Sequence, residues 1–311
     1  MPTPRHFLAD DDLTPDELEV VLDDAARRKV NRHGTGSDLA LAGKAVALIF
    51  EKPSTRTRVS FEVGVTELGG HPVVIDASTT QLGRGETLED TAMVLSRYCG
   101  AIVIRTFGQD RIERIAAAAS VPVVNALTDF AHPCQAIADL QTIRERRGEL
   151  AGLTLTYVGD GNNVAHSLML AGAAAGMRVR VATPPGYEPV DGVVERARDI
   201  ATATGGAVMV MSDALEAATG ADVLYTDVWA SMGQESEARS RLSLFQGYQL
   251  DDRLVSAAHD DVVVLHCLPA HRGEEIAADV IDGPHSAVWD QAENRLHAQK
   301  ALLAFLVERS G

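Results

Sequence analysis

Short apolar runs alternate with segments of helical period along almost the whole chain. That alternation predicts parallel strands joined by crossover helices. The strands are expected at Ala45–Phe50, Val73–Asp76, Ala101–Thr106, Val121–Leu127, Leu153–Val158, Val179–Thr183, Val208–Met211, Val223–Val228 and Val262–Leu265. Helices are expected at Thr14–Lys29, Thr87–Tyr98, Asp110–Ala119, Pro133–Arg147, Val164–Ala175, Val193–Thr204 and Ala292–Arg309, and Phe61, Val65 and Leu68 recur at helical spacing after the first strand. The first helix carries its own start signals: Thr14 as N-cap, Pro15 at the first position and Glu17 to complete a capping box. Ser78–Glu86 is polar and contains glycine, so it reads as a loop. Gly148 and Gly152 interrupt the pattern, after which the alternation restarts. The fold class is therefore α/β, with two domains, each a parallel sheet flanked by helices, joined near Leu140–Gly152.

Ligands of open parallel sheets bind beyond the carboxyl ends of the strands, so the residues after each strand are the candidate chemistry. Ser54-Thr55-Arg56-Thr57-Arg58 lies where the first strand hands over to a helix N-terminus. Free backbone N–H groups and the helix dipole favour an anion there, and arginine holds phosphate through a planar fork of donors. A Ser/Thr cap followed by exposed arginines is the plainer alternative. The second strand leads to Thr80-Gln81-Leu82-Gly83, the third ends in Arg105-Thr106, and the next is followed by His132-Pro133-Cys134-Gln135 at a helix start. These four sets would suit one small phosphorylated ligand.

In the second half, Gly159-Asp160-Gly161-Asn162-Asn163 follows a strand and opens a helix. A dinucleotide reading fails because the third glycine of G-x-G-x-x-G falls at Val164 and the next strand supplies no acidic residue for a ribose. Asn162 and Asn163 would instead donate to a carboxylate. Asp227, after the strand at Val223, is placed to hold an ammonium group or to cap a turn. Cys267 follows the strand at Val262 and faces the same cleft, or is only a small buried hydrophobe. Arg295 is expected at the start of the closing helix, as a site residue or on a solvated face.

Composition narrows the partners. A net charge of −16 over 311 residues argues against nucleic acid and against an anionic membrane surface. An acidic chain that binds phosphate must concentrate its arginines locally, as Arg56, Arg58 and Arg105 do. Cys99, Cys134 and Cys267 are odd in number and widely spaced, which fits a reduced cytoplasmic protein and gives no zinc pattern. Met1–Asp12 resembles neither a secretory signal nor a transit peptide, and no apolar run is long enough to span a bilayer.

Taken together, Ser54-Thr55-Arg56-Thr57-Arg58, His132-Pro133-Cys134-Gln135, Asp227 with Ser231-Met232-Gly233, and His266-Cys267-Leu268-Pro269 resemble the aspartate/ornithine carbamoyltransferase family. The match runs in order from about Arg5 to Arg309. The first two motifs are common to the family. The last two, and Gln81 where aspartate-specific members typically carry lysine, resemble its ornithine branch. The resemblance implies a carbamoyl-phosphate-binding domain over 1–147 and an ornithine-binding domain over 148–291, with the C-terminal helix, about 292–311, packing back on the first domain. It implies transfer of the carbamoyl group of carbamoyl phosphate to the δ-amine of L-ornithine in arginine biosynthesis, with no metal or organic cofactor. It further implies a homotrimer in which Gln81 reaches across from a neighbouring subunit. Ser54, Thr55, Arg56, Thr57 and Arg105 would hold the phosphate. Arg56 and His132 would polarise the carbamoyl oxygen, and Gln135 with the backbone carbonyls of Cys267 and Leu268 would orient its nitrogen. Pro133, Cys134 and Arg295 complete that site. Asn163 and the Met232 backbone would take the ornithine carboxylate, Asp227 and Ser231 its α-amino group, and Cys267 with Asp227 would relay a proton. A carbamoyltransferase for a related amine, such as putrescine or an acylated ornithine, and a non-catalytic regulatory paralogue are the alternatives.

Overall fold

Nine strands form where the apolar runs predict them, in a computed structural model that describes residues 4–34, 38–76, 85–230 and 238–310. They are β1 (Ala45–Phe50), β2 (His71–Asp76), β3 (Ala101–Arg105), β4 (Val123–Leu127), β5 (Thr154–Val158), β6 (Arg178–Ala182), β7 (Ala207–Met211), β8 (Val223–Thr226) and β9 (Val263–His266). The helices are α1 (Pro15–Val30), α2 (Thr55–Glu67), α3 (Leu88–Tyr98), α4 (Gln109–Ala118), α5 (Pro133–Arg147), α6 (Asn163–Ala174), α7 (Asp191–Thr204), α8 (Ala214–Ala218), α9 (Ala238–Phe245), α10 (Asp252–Ala257), α11 (Ala278–Ile281) and α12 (Val288–Arg309). The chain divides into two compact units, Met1–Ala138 with Asn294–Gly311, and Asp139–Glu293.

The first unit holds a parallel sheet in the order β2-β1-β3-β4. The chain steps from β1 outward to β2 and then crosses to β3 on the other side of β1. The β1/β3 boundary is therefore a topological switch point, where two connections leave in opposite directions and open a crevice. Ala47, Ile49, Ile102 and Ile104 of these strands pack with Leu88, Ile112 and Ile115 of α3 and α4. β2 begins at His71 and so includes Pro72. Proline lacks a ladder donor, and an edge strand tolerates that loss. The capping box at α1 forms as the sequence predicts, with the Glu17 N–H donating to Thr14 Oγ1 (3.3 Å) and the Thr14 N–H to Glu17 Oε2 (3.0 Å).

The carboxyl-terminal part of α12 belongs to the first unit. Lys300 Nζ donates to Glu67 Oε2 (2.8 Å), and Lys29 Nζ donates to Asn294 Oδ1 (2.8 Å). Gly64 of α2 makes that approach close: a Cβ there would lie 3.2 Å from Lys300 Cγ. α12 starts at Val288, a turn earlier than the sequence predicts. The Gln291 N–H closes a helical bond to the Ala287 carbonyl (2.9 Å), so the polar stretch from Asp290 is already helix. Arg295 therefore sits two turns inside the helix rather than at its start.

The second unit holds a parallel sheet in the order β7-β6-β5-β8-β9, with its switch point between β5 and β8. Val158, Leu224 and Val264 pack with Leu250, Leu254, Ile276 and Ile281 beneath it. β8 ends at Thr226 and β9 at His266, so Asp227 and Cys267 are each the first residue past a strand. Gly161 is wedged against the loop between β6 and α7: a Cβ there would lie 2.3 Å from Pro189 N and 2.5 Å from Tyr187 O. Those are backbone atoms that cannot swing aside. Gly161→Ala is expected to cost about 1–3 kcal/mol, the scale of overpacking, read as a lower denaturant midpoint at unchanged slope. No helix among the described residues is long and apolar enough to cross a membrane.

Candidate active site

In the first unit the switch point gathers cationic and neutral polar groups. Ser54 is the N-cap residue of α2, and Thr55, Arg56 and Thr57 form its first turn. Ser54 makes no side-chain cap bond. Thr55 and Arg56 are exposed and Thr57 is buried. Arg58 turns away into an exposed ion pair with Glu62 (2.7 Å), the ordinary fate of an i,i+4 pair.

Arg105 ends β3, opposite Phe50 in the register. It is buried, and its Nε makes no hydrogen bond among the described residues. Arg295 is buried as well. Its Nη1 donates to Gln135 Oε1 (2.6 Å) and its Nη2 to Thr57 Oγ1 (3.2 Å), joining helices α12, α5 and α2 within the unit. His132 and Pro133 sit at the entry to α5, buried, and Cys134 Sγ donates to the Asn125 carbonyl (3.3 Å).

The electrostatics of this cluster follow from burial and like charge. Burial, with the charges of Arg295 and Arg56, pulls the Arg105 guanidinium down to about 10. Burial and the charges of Arg295, Arg105 and Arg56 hold the His132 imidazole well below its ordinary value, so it is neutral at pH 7. Burial pushes the Cys134 thiol up to about 12, which makes it a packed hydrophobe rather than a nucleophile. A cluster whose members repel one another is relieved by a bound anion.

The His132 shift has a consequence for stability. The unfolded chain takes up a proton below about pH 6.5, and the folded chain does not. The contribution is therefore complete above pH 6.5 and is lost as pH falls, at up to about 1.4 kcal/mol per pH unit. Unfolding free energies measured from pH 7 to 5 should fall less steeply in His132→Gln than in the parent chain. An identical slope would show that the imidazole titrates normally.

In the second unit Asp227 and Cys267 come together across adjacent strand ends. Cys267 Sγ donates to Asp227 Oδ1 (2.9 Å), and Asn162 Nδ2 donates to Asp227 Oδ2 (3.0 Å) across the β5/β8 switch point. Asn162 is also the N-cap of α6, its Oδ1 accepting from the N–H groups of Val164 (2.9 Å) and Ala165 (3.2 Å). Asn163 is the first residue of α6 and half-buried. Leu268 holds a positive φ of 59°, rare for a branched residue. Its N–H donates to His266 Nδ1 (2.9 Å), which leaves the ring proton on Nε2, facing Glu275 Oε1 (3.1 Å). Asp227, His266 and Cys267 offer ligand atoms within 4.8 Å of one another. Both His266 nitrogens are already committed, so a cation there would have to displace the Leu268 N–H or Glu275. Gln81, Ser231 and Met232 lie outside the described residues.

Several groups that shape these clusters escape a sequence reading. Glu51, just past β1, has a buried side chain whose carboxylate accepts from Arg111 Nη2 (2.5 Å), Arg111 Nε (3.1 Å) and the Thr106 hydroxyl. Its N–H donates to the Arg105 carbonyl (2.9 Å), tying the two strand ends that carry Ser54 and Arg105. Gln299, with its amide oxygen turned toward Arg295, accepts from Nε (3.2 Å) and Nη2 (3.0 Å) and donates to Ser60 Oγ (2.7 Å). Gln291 accepts the His266 N–H (2.9 Å) and donates to Asp139 Oδ1 (2.7 Å) and the Tyr225 hydroxyl (3.1 Å). Buried Arg241 donates to Asp160 Oδ2 (2.6 Å) and the Trp229 carbonyl (2.9 Å), bracing the turn that carries Asn162. An acidic residue interrupting the run after β1 is the only one of these signals visible along the chain.

Two parallel sheets with anion-favouring and carboxylate–thiol strand ends define a small-molecule α/β enzyme. The chain belongs to the aspartate/ornithine carbamoyltransferase family: the family's carbamoyl-P binding domain matches residues 5–145 and its Asp/Orn binding domain residues 151–306. The chain is 65% identical to an ornithine carbamoyltransferase of Parafrankia sp. (strain EAN1pec), covering 99% of this chain and 98% of that protein. It is 63% identical to the ornithine carbamoyltransferase of Acidothermus cellulolyticus (strain ATCC 43068 / DSM 8971 / 11B), covering 99% and 98%. The solved structure of the Pyrococcus furiosus ornithine carbamoyltransferase is similar with a TM-score of 0.94 at 52% identity, covering 97% of each chain.

Proposed function

We propose that this chain transfers the carbamoyl group of carbamoyl phosphate to the δ-amine of L-ornithine, giving L-citrulline and phosphate. The observation that carries the reading is the clustering of Arg105, Arg295 and His132 with Arg56 at the switch point of the first unit. Ser54, Thr55, Thr57, Arg56 and Arg105 take the phosphate in this reading. Arg56 and His132 face the carbamoyl oxygen, where negative charge grows as the amine attacks. A neutral imidazole suits that role: it donates one N–H without adding a fourth charge to the cluster. Gln135, held by Arg295, orients the carbamoyl nitrogen.

In the second unit Asp227 takes the α-amino group of ornithine, with Ser231. The first turn of α6 at Asn163 and the Met232 backbone take the carboxylate. The attacking amine has a free pKa near that of lysine, about 10.4, and must shed a proton first. Loss of water favours the neutral amine, and the Cys267–Asp227 pair offers the proton a path. The new C–N bond forms as the C–O bond to phosphate breaks. The names of relatives at 56–65% identity over nearly the whole chain support ornithine over aspartate. We extend the reading to a cytoplasmic homotrimer of arginine biosynthesis, with Gln81 supplied across a subunit boundary. The three free cysteines suit a reducing compartment.

The test is to supply carbamoyl phosphate with ornithine, putrescine, N-acetylornithine or aspartate and to measure ureido product and phosphate. Citrulline from ornithine alone supports both halves. Product from another amine keeps the first half and overturns the Asp227 assignment. No product from folded protein that still binds carbamoyl phosphate would favour a regulatory paralogue.

A further inference from the structure

The turn from His271 to Glu275 in the second unit takes no part in the reading above. Its three ionisable side chains, His271, Glu274 and Glu275, each present a ligand atom, and these atoms lie within 4.8 Å of one another. Glu275 anchors the group. Its side chain is fully buried, and its two oxygens are used differently. Oε1 accepts from His266 Nε2 (3.1 Å) and from the His271 N–H (2.5 Å). Oε2 is buried, makes no hydrogen bond among the described residues, and lies 3.6 Å from His271 Nδ1.

That separation is too long for a hydrogen bond. It is the spacing expected of two ligands on one small cation, since bonds of about 2.0–2.2 Å at a tetrahedral angle place neighbouring ligand atoms about 3.3–3.6 Å apart. A buried carboxylate oxygen with no donor is costly until something satisfies it. The turn is also braced, with the Glu274 N–H donating to the His271 carbonyl (2.9 Å) and the Gly273 N–H to the Ile276 carbonyl (2.8 Å). The intervening cation, Arg272, is tied to Asp282 (2.9 and 2.8 Å).

We propose that His271, Glu274 and Glu275 bind a divalent first-row transition-metal ion, with water completing its coordination. One imidazole and two carboxylates suit such an ion. Calcium and magnesium prefer all-oxygen sets, and the site has no thiolate to select a soft metal. Because Oε1 of Glu275 stays on His266, whose Nδ1 receives the Leu268 N–H, occupancy would brace the Cys267–Leu268 turn from behind. The inference does not depend on which amine the enzyme carbamoylates.

Cobalt(II) is the probe, because its spectrum reports the ligands. Titrating the purified full-length protein should give one equivalent per chain with visible ligand-field bands and no near-ultraviolet thiolate band. His271→Asn and Glu274→Gln change exposed residues. Each should weaken binding by at least about tenfold, a loss that even outer-shell partners reach, with unchanged circular dichroism and melting. Cys267→Ser should leave the uptake intact. Three results would overturn the proposal: no uptake at millimolar cobalt, uptake indifferent to both His271→Asn and Glu274→Gln, or a thiolate band that disappears in Cys267→Ser. The last would place the ion on the Asp227–Cys267 pair instead.

Discussion

Arg56→Ala is expected to lower kcat/KM for carbamoyl phosphate by roughly 10³-fold, the scale of removing one preorganised donor from developing negative charge. Arg56 occupies the first turn of α2, where the helix dipole already favours an anion, and its charge reaches both Arg105 and His132. Because the residue is exposed, the fold should survive its truncation. Arg56→Lys should recover only part of the loss, since a point charge cannot reproduce the planar fork. The same truncation should let the His132 pKa rise toward its ordinary value, visible by NMR of the ring. Unchanged equilibrium binding of carbamoyl phosphate in Arg56→Ala would show that this turn is not the phosphate site.

Asp227→Ala should spare carbamoyl phosphate binding and lower kcat/KM for ornithine by about 10²–10³-fold. That is about 2.7–4.1 kcal/mol, within the roughly 2–5 kcal/mol typical of truncating one partner of a buried, hydrogen-bonded charge pair. The carboxylate accepts from Cys267 Sγ and Asn162 Nδ2 at once, so its loss removes the proposed ammonium partner and loosens two neighbours. Asp227→Asn separates these effects: it keeps the shape and discards the charge. Calorimetric titration with each substrate decides the matter. Equal damage to the binding of both would indicate a general folding defect rather than a lost ammonium site.

Much of this was legible along the chain because the signals are local. A continuous apolar run followed by Ser54-Thr55-Arg56 announces a strand, a turn and a helix N-terminus within a few residues, and β1 and α2 form there. Thr14, Pro15 and Glu17 announce α1 in the same way. The short helices α8 to α11 were not legible. Helices of four to eight residues carry too few turns for a periodic pattern to emerge and depend on packing for their stability. Asp213 and Asp251, which cap α8 and α10, were signals that could have been read. The start of α12 does not show in the sequence because Asp290 and Gln291 look like loop residues, yet Gln291 is held in the interior by His266, Asp139 and Tyr225.

The sequence by itself determined the strands and the longer helices, that they alternate, and which strand ends carry arginine, histidine, aspartate or cysteine. Hydrophobic period and turn chemistry depend on neighbours in the chain, so they survive without a third dimension. Which strand ends lie side by side was decided only by the tertiary structure. The orders β2-β1-β3-β4 and β7-β6-β5-β8-β9 set Arg105 beside the Ser54 turn and Asn162 beside Asp227. Packing of α12 on the first unit brings Arg295 to Thr57, 238 residues away. Such adjacency follows from which way each crossover turns and from burial of the whole sheet. No local pattern encodes it, and the Glu51, Gln299 and Gln291 contacts share that origin.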